Sequence, residues 1–332
     1  MRSFVLVIFC LKFTQLPQAA KRCATFMKNT LTIIFILISF LTFSQENRLA
    51  EIDNEVNSIE KDSILKIKEF NSVILSDTLN ETSGLVEWED HFYTHNDDTD
   101  LHLYQLDKKG SITKKIKLNG VKNNDWEELT QDETHFYLGD FGNNASGNRS
   151  DLTIFKIAKN SLFDNPKIET ISFSYPEQTD FPAKKSEKLF DCEAFFLYQN
   201  YFYLFTKNRS KGFDGTTLLY KIPAVAGNHP AQLIAKFKTC SNYNSCVITG
   251  ASISPDEKRI VLLSHDRIWL FEDFKGDEFL NGKITELALN HYSQKEAVSF
   301  KDNDKLIIAD ERTKKVGGNL YEISINTLKS SN

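Results

Sequence analysis

The chain has 332 residues, 41% hydrophobic and 26% charged, which suits a globular protein with room for one large domain or two modest ones. Its 26 Phe and 11 Tyr tilt the composition toward sheet, because aromatic side chains suit pleated, half-buried surfaces. The formal charge of −5 argues against nucleic acid and anionic membrane faces as partners, since both require clustered Lys and Arg.

Residues 1–44 carry five basic side chains (Arg2, Lys12, Lys21, Arg22, Lys28), no acid and two apolar runs. The second run, Leu31 to Phe43, follows Met27-Lys28-Asn29 and ends in Thr42-Phe43-Ser44. A basic start, a short apolar stretch and small residues at −3 and −1 read as an export signal cleaved after Ser44. An uncleaved anchor is the alternative, although the run falls short of the roughly 20 apolar residues of a comfortable span. Translation from Met27 would leave residues 1–26 out altogether. Cleavage leaves 45 acidic against 35 basic side chains, a net of −10, in a protein that is periplasmic, outer-membrane-associated or secreted.

Residues 45–63 are polar and lack aromatics, so they read as a linker. From 64 to 328 a repeating phrase follows, leaving 329–332 as a tail: a small or acidic pair, an apolar run, a polar turn and a second apolar strand. It starts at Ser83, Glu127, Glu193, Gly250 and Glu296, with steps of 44, 66, 57 and 46 residues. Such steps belong to the blades of a β-propeller with loop insertions. The first repeat predicts strands at Ser83–Trp88, His91–His95, Leu101–Leu106 and Ile112–Leu118. The last repeat supplies three, Ala297–Phe300, Lys305–Ala309 and Leu320–Ile325. A strand at Leu65–Leu75 would complete it and pair the two ends of the chain. Five blades result, or six if Ile168–Asp191 hides a degenerate one. Residues 176–182, 184–188 and 208–216 read as surface loops.

Cys192 reads as a small core residue. Cys240 and Cys246 bracket a polar loop that a disulfide would close, or they remain free thiols; no zinc spacing is present.

In a blade, the start of the innermost strand and the end of the second converge on one mouth of the central channel. The first set is Ser83, Glu127, Glu193, Gly250 and Glu296. The second is Asn96, Asp140, Thr206, Ser264 and Ala309, followed by Asp97, Phe141, Lys207, His265 and Asp310. Three glutamates at equivalent positions concentrate negative potential, and three readings stay open. Oxygen ligands suit Ca²⁺ or Mg²⁺, with Glu127, Glu193, Glu296, Asp140 and Asp310 as candidate ligands. The same crowding suits proton transfer, with Glu127, Glu193 and Asp140 as candidate catalytic groups. Alternatively the acids cap strands and pair with Lys207, Arg209 and Arg312 in a structural ring.

His95, Asn96, Asn143, Asn144, Lys207, Arg149 and His265 are candidate ligand-binding residues. Asn143 and Asn144 lie in Gly139-Asp140-Phe141-Gly142-Asn143-Asn144, a string able to form a tight polar turn but lacking the lysine and glycine spacing of a phosphate loop. Ser83 and Ser264 have no nucleophile elbow around them. Trp88 and Trp126 read as packing anchors.

The strings Ser83-Gly84-Leu85 with His95-Asn96-Asp97, Asp125-Trp126-Glu127, Gly139 to Asn144 with Arg149, Asp191-Cys192-Glu193-Ala194 and Thr206-Lys207 resemble exported bacterial propellers of the SdiA-regulated and phytase-like-esterase type. The likeness runs from about Leu65 to Ile325 and is most specific between 83 and 207. It implies a propeller with a polar central site. Residues and resemblance together lead to an exported, monomeric propeller whose acidic mouth takes a divalent cation, Ca²⁺ foremost, and a small polar or phosphorylated ligand, with ester hydrolysis as its chemistry. The alternative is a non-catalytic propeller that binds a protein or glycan.

Overall fold

Along Tyr201–Lys207 the side chains alternate between two buried interfaces: Phe202 and Leu204 face one way, Tyr203 and Phe205 the other. A strand buried on both faces reads as a continuous apolar run, which is why period-2 alternation is faint in this sequence. The computed structural model describes residues 71–331 apart from 99, 145 and 315. Residues 1–62, with the expected signal, lie outside the described residues, and the sheets lie within Ser63–Asn332. The expected strand Leu65–Leu75 is described only from residue 71.

Five antiparallel sheets form five blades. Blade 1 is Thr82–Trp88, His91–Asn96, His102–Leu106 and Ile112–Lys117. Blade 2 is Trp126–Gln131, His135–Asp140, Thr153–Ala158 and Ile168–Ser174. Blade 3 is Asp191–Tyr198, Tyr201–Lys207, Thr216–Pro223 and Gln232–Lys238. Blade 4 is Gly250–Ile253, Arg259–Leu263, Arg267–Glu272 and Lys283–Ala288. Blade 5 is Lys295–Phe300, Lys305–Asp310 and Asn319–Ser324, with Asn71–Ile74 as its outer strand in the register Asn71↔Glu322 to Ile74↔Asn319.

The region Ile168–Asp191 is no sixth blade. Its first seven residues are the fourth strand of blade 2, and the rest is loop. A further strand, Gly227–Pro230 from the blade 3 segment, pairs in parallel with Ile171–Ser174 and covers that blade's outer edge.

Each inner strand touches the next, and that of blade 5 touches that of blade 1, so the ring is closed. An apolar cluster fills each interface between neighbouring blades. Trp126, Tyr203, Phe205 and Phe271 are essentially fully buried, and each contributes about 1.5–3 kcal/mol by leaving water. The turns Glu89-Asp90 and Gln199-Asn200 have positive φ at both residues, the geometry of a two-residue hairpin that matches strand twist. Among the described residues no helix is long and apolar enough to cross a membrane.

Candidate functional site at the channel mouth

Four of the five inner strands break register near their start. Pairing skips from Thr82 to Leu85, Trp126 to Leu129, Cys192 to Ala194 and Lys295 to Ala297. The skipped residues are Ser83-Gly84, Glu127-Glu128, Glu193 and Glu296, so the three glutamates at equivalent positions all sit in β-bulges. A bulge leaves its residue unpaired and re-aims the side chain, here into the channel. Gly250 pairs without a shift and brings no acid.

The bulges open on a cavity of about 330 Å³. Glu127, Glu193 and Glu296 form its floor, and Asp97, Lys207, His265 and Glu311 reach it from the ends of second strands. Asn144, Arg209, Tyr243, Tyr292 and Gln294 complete it from loops. Cys240 and Cys246 are joined in a disulfide that closes the loop carrying Tyr243.

Blade 3 supplies the positive charge. Lys207 Nζ donates to Glu193 Oε2 at 2.7 Å and lies 3.5 Å from Glu296 Oε2. Arg209 bonds Glu193 Oε1 at 2.6 Å, bonds Asp191 through Nε, and donates to the Tyr243 hydroxyl at 3.3 Å. Burial alone would push the Glu193 carboxyl up, but Lys207 and Arg209 outweigh it and hold the group near 2. Its neighbours move the other way. Burial first, then the remaining carboxylates, push Asp191 and Asp97 to about 7 and Glu311 to about 9. Burial also lifts Glu296 to about 7 against the pull of Lys207, and it raises Glu127 well above the carboxylate range. Burial, then Lys207, lowers His265 to about 4, so its imidazole is neutral at neutral pH. Carboxyl groups whose proton affinities are pushed apart thus meet around one ammonium, the arrangement that separates an acid from a base.

Oxygens of Glu127, Asp191 and Glu193 lie within 4.8 Å of one another, close enough to hold a metal ion. Much of their capacity is already used. Asp191 Oδ1 accepts from Asn143 N at 2.6 Å, and both Glu193 oxygens face cations. Glu127 Oε2 accepts from Ser83 Oγ at 3.3 Å.

Several expected site residues stand away from the cavity. Asp140 is a buttress: Arg149 bonds it at 3.0 Å, and it accepts from Asp125 N at 3.1 Å and Asn124 at 3.2 Å. Arg149 also holds the Gly142 and Asp140 carbonyls, so it clamps the turn rather than facing a ligand. Asn143 accepts from Arg149 N at 2.9 Å. Asn96 is occupied by the Thr78 carbonyl, Asp100 and Glu81 N. His95 is fully buried, edge-on to Trp126, and burial lowers it to about 4. Asp310 turns into blade 5, accepting from Tyr321 OH at 2.6 Å and Asn319 N at 2.7 Å. Alternation along the strand end gives the cavity to Glu311 instead.

Glu128, beside Glu127 in the same bulge, is fully buried and points elsewhere. It accepts from Leu129 N at 3.0 Å and Leu85 N at 3.4 Å, and its carboxyl also faces the amides of Val298 and Ala251. It therefore joins inner strands of four blades. No spacing marks Glu128, Glu311, Tyr292 or Gln294 in the sequence; Tyr243 is flagged only by the cysteines around it.

No family model matches the chain, and no curated protein is similar to it in sequence. Solved structures are similar in fold. The PQQ-bound aldose sugar dehydrogenase of Streptomyces coelicolor is 12% identical over 77% of this chain and 98% of its own, with a TM-score of 0.43. Virginiamycin B lyase of Staphylococcus aureus is 10% identical over 76% and 69%, at 0.38. The Cps50 (Swd1) β-propeller domain of Myceliophteria thermophila is 10% identical over 77% and 98%, at 0.39. The likeness concerns the fold.

Proposed function

We propose that the protein is an exported propeller whose channel mouth binds a small polar ligand, with Glu127, Asp191 and Glu193 as the seat of a divalent cation. The observation that carries this is the carboxylate-lined cavity at the converging bulges, of a size usual for small-molecule sites. Ca²⁺ suits the seat by its preference for carboxylate oxygens. Burial raises the Glu127 carboxyl well above its ordinary value, so a cation would compete with a proton for that seat. The likeness to phytase-like esterases brings an ester into the proposal. Glu296, lifted to about 7 by burial and 3.5 Å from Lys207, would serve as its proton-transfer group. A phosphorylated ligand is less well served, because both cations on the cavity wall already face carboxylates.

Calorimetric titration of Ca²⁺ into the wild type and Glu127→Gln tests the seat, alongside a panel of carboxylic and phosphate esters. The variant should bind Ca²⁺ at least about ten-fold more weakly, a loss of some 1.4 kcal/mol. Identical isotherms and a silent ester panel would make the acids structural and put the non-catalytic reading, a propeller binding a protein or glycan, ahead. Export rests on the pattern of residues 1–44, and N-terminal sequencing of protein from the native envelope should start near Gln45. A chain still carrying Leu31 to Phe43 would mean an anchor.

A further inference from the structure

The cavity wall carries more carboxyl groups than cations. Lys207 and Arg209 are the two cationic side chains on its wall, and Glu193 and Asp191 engage them. Opposite stand Asp97, Glu296 and Glu311. Glu296 is only 5% exposed, and its Oε2, although 3.5 Å from Lys207 Nζ, has no hydrogen-bond partner. Asp97 Oδ1 is likewise buried without a partner. Glu311 receives a bond from the neutral amide of Gln294 at 2.8 Å. Buried acceptors left without donors are costly, so in the working state something should supply hydrogens to them. A wall of three carboxyl groups that shares only Lys207, at 3.5 Å from Glu296, also attracts positive charge. The Tyr243 and Tyr292 rings edge the same cavity, and Tyr292 is 48% exposed, so a π-face is available to a cation.

From this we infer that the small polar ligand is cationic: it carries an ammonium group, seated against Asp97, Glu296 and Glu311 beside Tyr292. The inference rests on the reading of the cavity as a small-ligand site and names the ligand's charge. An ammonium offers three donors to these acceptors.

Four probes of similar size isolate charge: glucosamine, N-acetylglucosamine, glucose and glucose 6-phosphate, titrated calorimetrically into the purified full chain at low salt. At pH 6, where its amine is fully charged, glucosamine should bind at least about ten-fold tighter than the other three. Glu296→Gln and Glu311→Gln should each erase most of the preference for glucosamine over glucose. These variants replace carboxyl groups that burial already favours in neutral form, so both should fold; near-ultraviolet circular dichroism checks this. Equal binding of glucosamine and glucose, or tightest binding of glucose 6-phosphate, overturns the inference and leaves the small-polar-ligand reading standing. Binding of none of the four overturns both.

Discussion

Gly142 matters for what it lacks. A Cβ there would collide with Glu127 Oε1 and the Asp125 carboxyl, the groups that the turn from Gly139 to Asn144 wraps around. Its φ is not in the left-handed region, so Gly142→Ala tests side-chain space without adding backbone strain. The extra methyl should cost about 1–3 kcal/mol in urea denaturation, as overpacking does, and should weaken Ca²⁺ binding by displacing Glu127. A variant with wild-type stability and an unchanged isotherm would show that the turn yields freely and does not set the position of Glu127. Arg149 and Asp140 matter in the same indirect way, since their mutual bond at 3.0 Å shapes this turn from behind the cavity.

At the scale of elements, the disulfide and the helical turn it closes, Tyr243–Cys246, form one wall of the mouth. Ser264 Oγ donates to the Ser245 carbonyl at 2.6 Å and Thr239 Oγ1 to the Cys246 carbonyl at 2.7 Å, which ties the loop to blades 3 and 4. Replacing both cysteines, Cys240→Ser with Cys246→Ser, should cost about 2 kcal/mol, the chain-entropy value for so short a loop. It should also raise hydrogen exchange between 240 and 249 and weaken ligand binding through Tyr243. Unchanged exchange there would show that these two hydrogen bonds suffice to hold the loop.

The same scale separates what the sequence discloses from what it hides. Strand positions are legible because each repeat pairs an apolar run with a turn such as Glu89-Asp90, whose residues can adopt the required φ. The count of five could not be read with assurance because Ile168–Ser174 is a real strand that belongs to the preceding blade. The three bulge glutamates are visible as repeats, and the cavity does collect them. The bulges themselves are not, because register is a property of two strands. Hence nothing sets Glu128 apart from Glu127 although its carboxyl bonds the amides of neighbouring inner strands, and Asp310 passes for a wall residue when Glu311 is the one.

For the whole molecule, the unusual feature is how many buried acids surround the channel. Asp97, Asp191 and Glu296 are raised to about 7 and Glu311 to about 9, with burial the first cause in each, and burial also raises Glu127 and Glu128 well above their ordinary value. A carboxyl whose folded value lies above its unfolded one stabilises fully below the unfolded value and loses that contribution as pH climbs through the folded one. His95, His265 and His291, lowered to about 4 by burial, act in the opposite sense, but only below their unfolded value near 6.5. Lys295, lowered by burial to about 8, opposes the acids only from there upward. Between pH 6.5 and 8 the acids therefore act alone, and stability should fall by on the order of 1 kcal/mol per pH unit for each proton the folded chain retains beyond the unfolded one. Urea midpoints across that interval measure it, and a flat or rising midpoint would sink the idea that these groups enter the folded state protonated. Saturating Ca²⁺ should flatten the slope, because a cation at Glu127, Asp191 and Glu193 replaces protons that the fold otherwise has to keep.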